Sequence, residues 1–229
     1  MEEKLQELAA VMEHLKPHDV LVLGSVHITS TVVTTWMVMA VLFTAVFLAT
    51  RNLNSKPRGV QHLLELLIGF IEGMLEDAMG KKGKKYLPLV ATLFVFILSL
   101  NLSWFIPTVK PPTIDLSTTA AFGVATIVLI QIFAIQHKGI KGYLHHFAEP
   151  TPILAPLTIV EEFVKPISLS LRLFGNMFGE KMVVTILFIL LPLIVPTPIM
   201  LLGVLMGLIQ ALVFTILPVT YIQAFIQGH

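Results

Sequence analysis

The chemistry of this sequence is concentrated in a few polar side chains set in long apolar surroundings. Arg172 stands within Lys165-Pro166-Ile167-Ser168-Leu169-Ser170-Leu171-Arg172-Leu173-Phe174-Gly175-Asn176-Met177. A guanidinium stays charged at every physiological pH, and a charge at the bilayer centre costs about 2.5–3.5 kcal/mol on insertion scales. A residue of that kind marks an ion path or a counter-charge for a partner carboxylate. The alternative is an arginine that snorkels to the interface, since Lys165 and Pro166 are close by. Asn176 follows on the same helical face, and Glu180 lies about 12 Å further along at the helical rise. Glu161 and Glu162 precede the arginine by a similar distance, and Gln210 lies on the next apolar run. Acids on both sides of a fixed positive charge suit a proton path that must not run straight through. Plainer readings stay open for each. Glu161 and Glu162 would also suit a helix start favoured by the dipole. Glu180 could pair with Lys181, and Asn176 and Gln210 could serve as interhelical hydrogen-bond partners.

The elements that must carry these groups are membrane helices. Of 229 residues, 55% are hydrophobic and 13% charged, against about 25% charged in a soluble domain, and the mean hydropathy is +0.87. There are no cysteines, which excludes disulfides and thiolate metal sites. The acidic first 27 residues lack the basic start and short apolar core of a signal peptide and are expected to form an outer N-terminal segment. A spanning helix needs about 20 apolar residues. The pattern predicts an all-α, single-domain membrane protein with five spans over 28–50, 87–109, 116–136, 156–191 and 198–226. Trp104 is a candidate interface anchor. Pro192, Pro196 and Pro198 divide the uncharged run after Met182 into the last two spans. Residues 172 and 210 are symmetric about the turn this implies, so they are expected to face each other at similar depth.

Segment 57–80 differs. His62, Glu65, Gly69, Glu72 and Glu76 recur at spacings of three and four, opposite Leu63, Leu64, Leu67, Ile68, Phe70, Ile71, Met74 and Leu75. This predicts an amphipathic helix on the membrane surface or against a partner helix, with a sixth span as the alternative. The connections holding Arg51, Lys56, Arg58, Lys81, Lys82, Lys84, Lys85, Lys138, Lys141 and Lys165 are the basic ones. The positive-inside bias therefore puts the N-terminus outside and the C-terminus in the cytoplasm. A stand-alone transporter or channel is a competing function, but transporters often show two related halves and none is visible. A metalloenzyme using His137, His145, His146 and Glu149 fits no ligand spacing. A pure scaffold leaves Arg172 unexplained.

The run Lys165-Pro-Ile-Ser-Leu-Ser-Leu-Arg172-Leu-Phe-Gly-Asn176 resembles the signature of subunit a of bacterial F-type ATP synthases. Pro111-Pro112-Thr113-Ile114-Asp115-Leu116, Lys138-Gly139-Ile140 and Gln210-Ala211-Leu212-Val213-Phe214 with Tyr221 resemble other parts of that family, over roughly 57–223. The resemblance implies five spans, a surface helix, and a long tilted hairpin of the last two helices facing a ring of c subunits. It implies two aqueous half-channels that pass ions to and from membrane-embedded ring carboxylates, with no catalytic site of its own. Arg172 would engage the ionised ring carboxylate and separate the half-channels. Asn176, Glu180 and Gln210 match polar positions of the outer half-channel or near the arginine, and Glu162 with Glu161 match inner acids. The implied partners are the c-ring, the subunit b peripheral stalk and the lipid bilayer of a bacterial inner (plasma) membrane. The implied ion is H⁺ or, in some members, Na⁺. No cofactor is implied. Two positions depart from the family pattern. Many members have one more residue between the asparagine and the glutamate, so Glu180 is turned by about 100°. Gly203 stands where some members carry a histidine, and His14, His18 and His27 are the other outer histidines.

Overall fold

The computed structural model describes residues 18–23, 26–51, 53, 58–105, 111–148, 153, 155–190 and 196–227. Six α-helices carry the fold among these residues: α1 Ser30–Thr50, α2 Val60–Met79, α3 Leu87–Leu102, α4 Leu116–Ala148, α5 Ala155–Leu190 and α6 Pro196–Gln227. An addition to the expected helical architecture is a small antiparallel hairpin, β1 Asp19–Leu23 with β2 Val26–Thr29. It takes the first residues of the expected span at 28–50. Val26, Ile28 and Thr29 are β-branched and suit the strand, and Thr29 is still extended at φ −81°, ψ 160° when the helix begins. Residues 1–17, and with them His14, lie outside the described residues.

Among the described residues, four segments are long and apolar enough to cross a membrane: Ser30–Thr50, Gly83–Leu102, Leu116–Gln136 and Thr197–Gln223. α1 reaches this apolarity despite its threonines. Thr34, Thr35, Thr44 and Thr50 each donate the hydroxyl to the carbonyl one turn earlier, so little polarity faces outward. α5 does not meet the same criterion, because Glu161, Glu162, Lys165, Arg172, Glu180 and Lys181 all lie on it. Its 36 residues give about 54 Å of helix against a hydrocarbon core of about 30 Å.

Several boundaries shift. The second expected span starts through a 3₁₀ segment, Gly80–Tyr86, and its α-helix stops at Leu102 before a further 3₁₀ turn, Ser103–Phe105. Residues 106–110 are outside the described set, as is the side chain of Trp104. The third continues past residue 136 to Ala148, broken at Gly139, whose φ of 72° and ψ of 167° are not helical. Only glycine adopts that backbone at little cost, so 140–148 set off in a new direction. The last span begins at Pro196. Pro196 and Pro198 thus sit inside its first turn, where the missing amide proton has no helical partner to lose. Residues 191–195, including Pro192, lie outside the described set.

The core joins α2 to α6. Ile71 and Leu75 of α2 pack with Tyr86, Val90, Phe94 and Ile97, then Ile127, Ile130, Leu169, Leu173, Ala211, Phe214 and Ile222. α2 is amphipathic as its spacing requires: its buried face enters this core, while Glu72 and Glu76 bind Lys84 Nζ at 2.6 and 3.3 Å. α1 stands apart. Only Thr31 is buried, and it donates to Asp115 Oδ2 at 2.8 Å. That carboxylate also receives Ser117 N at 3.0 Å and Ser117 Oγ at 2.9 Å at the start of α4.

The α4–α5 seam depends on a small residue. A methyl group at position 123 would overlap Ser170 Oγ and lie 2.7 Å from the Pro166 carbonyl oxygen. Gly123→Ala should therefore lower the denaturation temperature of the detergent-solubilised protein, at about 1–3 kcal/mol for overpacking. Gly69→Ala, where the added methyl meets nothing within 4 Å, should leave it unchanged or raise it slightly.

Candidate functional site

α5 places Arg172 at its midpoint, on the exposed face of the helix. The neighbours on that face are apolar: Phe163, Val164, Ile167 and Leu171 are each more than half exposed. The opposite face, Leu169, Leu173, Met177 and Val184, is buried against the bundle. The arrangement follows from the 3.6-residue period. Arg172 falls one turn from the exposed Ser168, at the edge of the exposed face beside the Leu169–Leu173 line. It forms no ion pair with a described residue, while Tyr221 of α6 lies within its electrostatic range.

α6 returns antiparallel beside α5, and the two are clasped by a hydrogen bond from Asn176 Nδ2 to Gln210 Oε1 at 2.7 Å. Gln210 thus meets the polar residue one turn beyond Arg172. The symmetry of the proline turn suggested facing positions 172 and 210; the clasp instead forms at 176 and 210. Gln210 is buried, and its Nε2 has no partner among the described residues. One turn before it, the Gly207 carbonyl accepts from Asn101 Nδ2 of α3 at 3.2 Å, and Asn101 Oδ1 is buried and also unpartnered there. Asn101 therefore belongs to this polar seam. Its sequence signal was a lone amide in an apolar helix.

Glu180 is half-buried and turned toward α6. Its carboxyl rests against Gly203, where a methyl group would overlap it. Its Oε1 is buried and accepts no hydrogen bond from a described residue. Glu180 and Gly203 thus share one space across the hairpin: the absent side chain at 203 leaves the room that the carboxyl occupies. Lys181, the next residue, acts on this carboxyl electrostatically.

Toward the other end of α5, Glu162 and Glu161 separate. Glu161 is exposed. Glu162 is 12% exposed; its Oε2 accepts from Gln131 Nε2 of α4 and its Oε1 from Lys165 Nζ. Lys165 Nζ also stands 4.7 Å from the centre of the Tyr221 ring. Gln131 and Lys165 are site residues that sequence reasoning passed over. Gln131 carried a usable signal as an amide inside a charge-free span, and Lys165 was read as part of the arginine motif and of the basic bias, not as a partner of Glu162. No group of three metal-ligating side chains occurs among the described residues, and the side chains of His137, His145, His146 and Glu149 lie outside them.

These features have relatives. Residues 32–223 match the family described as ATP synthase A chain. The chain belongs to the ATP synthase A chain family. ATP synthase subunit a of Moorella thermoacetica is 62% identical over 218 residues, 95% of this chain and all of that protein. The corresponding subunit of Geobacter sulfurreducens is 45% identical over 197 residues, 84% of this chain and 86% of that protein. A third, from Pelobacter propionicus, is 43% identical over 197 residues, covering 84% of this chain and 86% of its own length. The chain is thus a multi-pass membrane component of a bacterial ATP synthase, the proton-conducting stator subunit of its Fo sector.

The contact of Glu180 with Gly203 gives a direct test. Gly203→Ala and Glu180→Ser should each perturb stability of the solubilised complex, and the double variant should be milder than their sum. The expected coupling between touching residues is about 0.5–3 kcal/mol. Strict additivity would mean that the two side-chain positions do not share space.

Proposed function

We propose that Arg172 divides two aqueous half-channels, with Glu180 on the outer path and Glu162 on the inner one, and that protons cross only by riding the c-ring between them. The observation that carries this reading is the placement of a permanent charge at the middle of α5, on an exposed apolar face, with one half-buried carboxyl toward each end of the same helix. Leu201, Leu202, Leu205 and Leu208 of α6 are exposed as well, which adds apolar surface suited to a moving partner. The five-span topology, with α2 along the inner surface, the N-terminus outside and the C-terminus in the cytoplasm, is part of the same reading. It is supported by the basic connections and by the docking of Ile71 and Leu75 beside Tyr86.

The chemistry of each group follows from its setting. During synthesis a proton enters from outside and reaches Glu180, whose buried carboxyl can take it on one oxygen and release it toward the ring. A ring carboxylate that has lost its proton is drawn to Arg172, because an ion pair in low dielectric is far stronger than one in water. Arg172 also repels any proton moving directly from Glu180 toward Glu162. The ring carboxyl arriving from the other side releases its proton toward Glu162, which hands it to water at the inner face. Asn176 and Gln210 do not titrate. Their clasp fixes α6 against α5 one turn beyond the arginine, so the polar seam keeps its depth relative to the charge. Glu161, exposed on the inner side, would act as a surface acid at the mouth of that path. The partners of this reading are the c-ring, the subunit b peripheral stalk and the bilayer, and the ion is H⁺, with Na⁺ as the alternative that the ring's own site would decide.

The test is ATP synthesis by the reconstituted complex under an imposed gradient. Arg172→Ala should abolish synthesis and admit a passive proton leak, and Arg172→Lys should fail as well, since a lysine can lose its proton when desolvated. Coupled synthesis at the wild-type rate in Arg172→Ala vesicles would overturn the reading. Glu180→Gln should assemble normally but slow synthesis about a hundredfold, the scale of a lost proton-transfer group. A wild-type rate across a range of outer pH would remove Glu180 from the path.

A further inference from the structure

The inner carboxyl has more holding it than a solvated acid at a channel mouth needs. Its two oxygens are bound separately, Oε2 by Gln131 Nε2 from α4 and Oε1 by Lys165 Nζ from the next turn of α5. Lys165 is itself seated over the Tyr221 ring of α6. The carboxylate is therefore fixed against rotation by groups from three helices. Hydrogen bonds between charged partners are about twice as strong as neutral ones, and a lysine over an aromatic face gains further attraction when desolvated. Meanwhile Gln131 Oε1 is buried with no partner among the described residues. An unpaired buried acceptor is costly, which calls for an explanation at a site three helices go to such lengths to order.

The amide supplies one. An ionised carboxylate only accepts hydrogen bonds, whereas a protonated one also donates. Gln131 carries a donor, now on Oε2, and an acceptor, now idle. A half-turn of the amide would exchange them, so the same side chain can satisfy Glu162 with or without its proton. Lys165 has no acceptor and favours the ionised form alone.

We propose that Gln131 and Lys165 are positioning residues of the inner proton path: Lys165 with Tyr221 anchors the Glu162 carboxylate at the α4–α5–α6 seam, and Gln131 pairs with that carboxyl in both of its protonation states. The proposal rests on the reading of Glu162 as the inner acid. The step is a simple proton transfer. An O–H bond forms on a Glu162 oxygen as the donor loses its proton, and the same bond breaks when the proton passes to water, so nothing else is consumed. The other titratable or charged groups around Glu162 are Tyr143, from the part of α4 beyond Gly139, and Tyr221 from α6, both within its electrostatic range, and Glu161 beside it. Neither tyrosine has the reach of Lys165, which alone brings a permanent cation into hydrogen-bond contact.

The test uses whole ATP synthase in vesicles, with inner and outer pH set independently and assembly checked by recovery of the complete complex. Gln131→Leu and Lys165→Met should assemble, slow proton-driven synthesis by about tenfold, the loss of one hydrogen bond to a charged group, and alter the dependence on inner pH while leaving that on outer pH unchanged. Lys165→Arg should recover most of the rate, since a guanidinium can also bind a carboxylate and stack on an aromatic ring. Glu162→Gln is the reference. If it is slowed while Gln131→Leu and Lys165→Met run like wild type, the clamp is overturned and the inner-acid reading stands. Slowing by the two variants with no change in inner-pH dependence would mean a purely structural role and would also overturn it. If Glu162→Gln itself runs like wild type, the inner-acid reading fails and the proposal with it. Should Lys165→Met not assemble, Gln131→Leu and Lys165→Arg decide by the same criteria.

Discussion

A permanent positive charge has to be kept at the middle of an apolar helix without being neutralised by its own protein. That constraint organises α5 and everything packed on it. A carboxylate within reach of Arg172 from inside the bundle would lock the guanidinium in a buried ion pair, strong to break and useless for a passing partner. The structure avoids this by keeping both flanking carboxyls at least two helical turns away and occupied elsewhere. Glu162 is bound by Gln131 and Lys165, and Glu180 is lodged against Gly203. Arg172 is left on the exposed face.

The flanking helices serve that arrangement in different ways. α6 lies along α5 and is fixed by the Asn176–Gln210 clasp and, near the inner end, by the contact of Tyr221 with Lys165. α4 presses close enough for Ser170 and Gly123 to touch, which brings Gln131 to Glu162. α3 adds Asn101 against Gly207. Several polar groups buried in this bundle, Asn101, Ser170, Gln210 and Thr215, therefore sit on α5 and α6 or against them. Such groups are expensive in hydrocarbon unless paired, so each has to find a partner within the bundle. α1, by contrast, buries a single side chain and returns its threonine hydroxyls to its own backbone. It is built to face lipid or another membrane partner.

The relation of Glu180 to Gly203 shows how a site can depend on a residue with no side chain. The carboxyl at 180 occupies the space that any side chain at 203 would need. The glycine leaves that space open. Neither residue is intelligible alone, because each lies on a different helix and they meet only across the hairpin.

Much of this was legible in the residues. Hydropathy and charge spacing were enough to find α1, α3, α4 and α6 as spans, to mark 57–80 as an amphipathic helix, and to single out Arg172, because burying a charge has one large and local cost. The same local signals placed Asn176, Glu180, Glu162 and Gln210 among the residues to watch. What they could not decide was who meets whom. Gln210 pairs with Asn176 because the hairpin's register depends on how α5 and α6 pack, not on symmetry about its prolines. Gln131 and Asn101 carry no pattern of their own; each matters only because another helix brings Glu162 or Gly207 within reach. Glu161 and Glu162 are adjacent in sequence but point about 100° apart, so only packing against α4 could show which is held and which is exposed. The sequence determined the helices and the cost of the charge, both set by neighbours along the chain. The tertiary structure decided the pairings, because these are set by side chains on different helices, up to 106 residues apart.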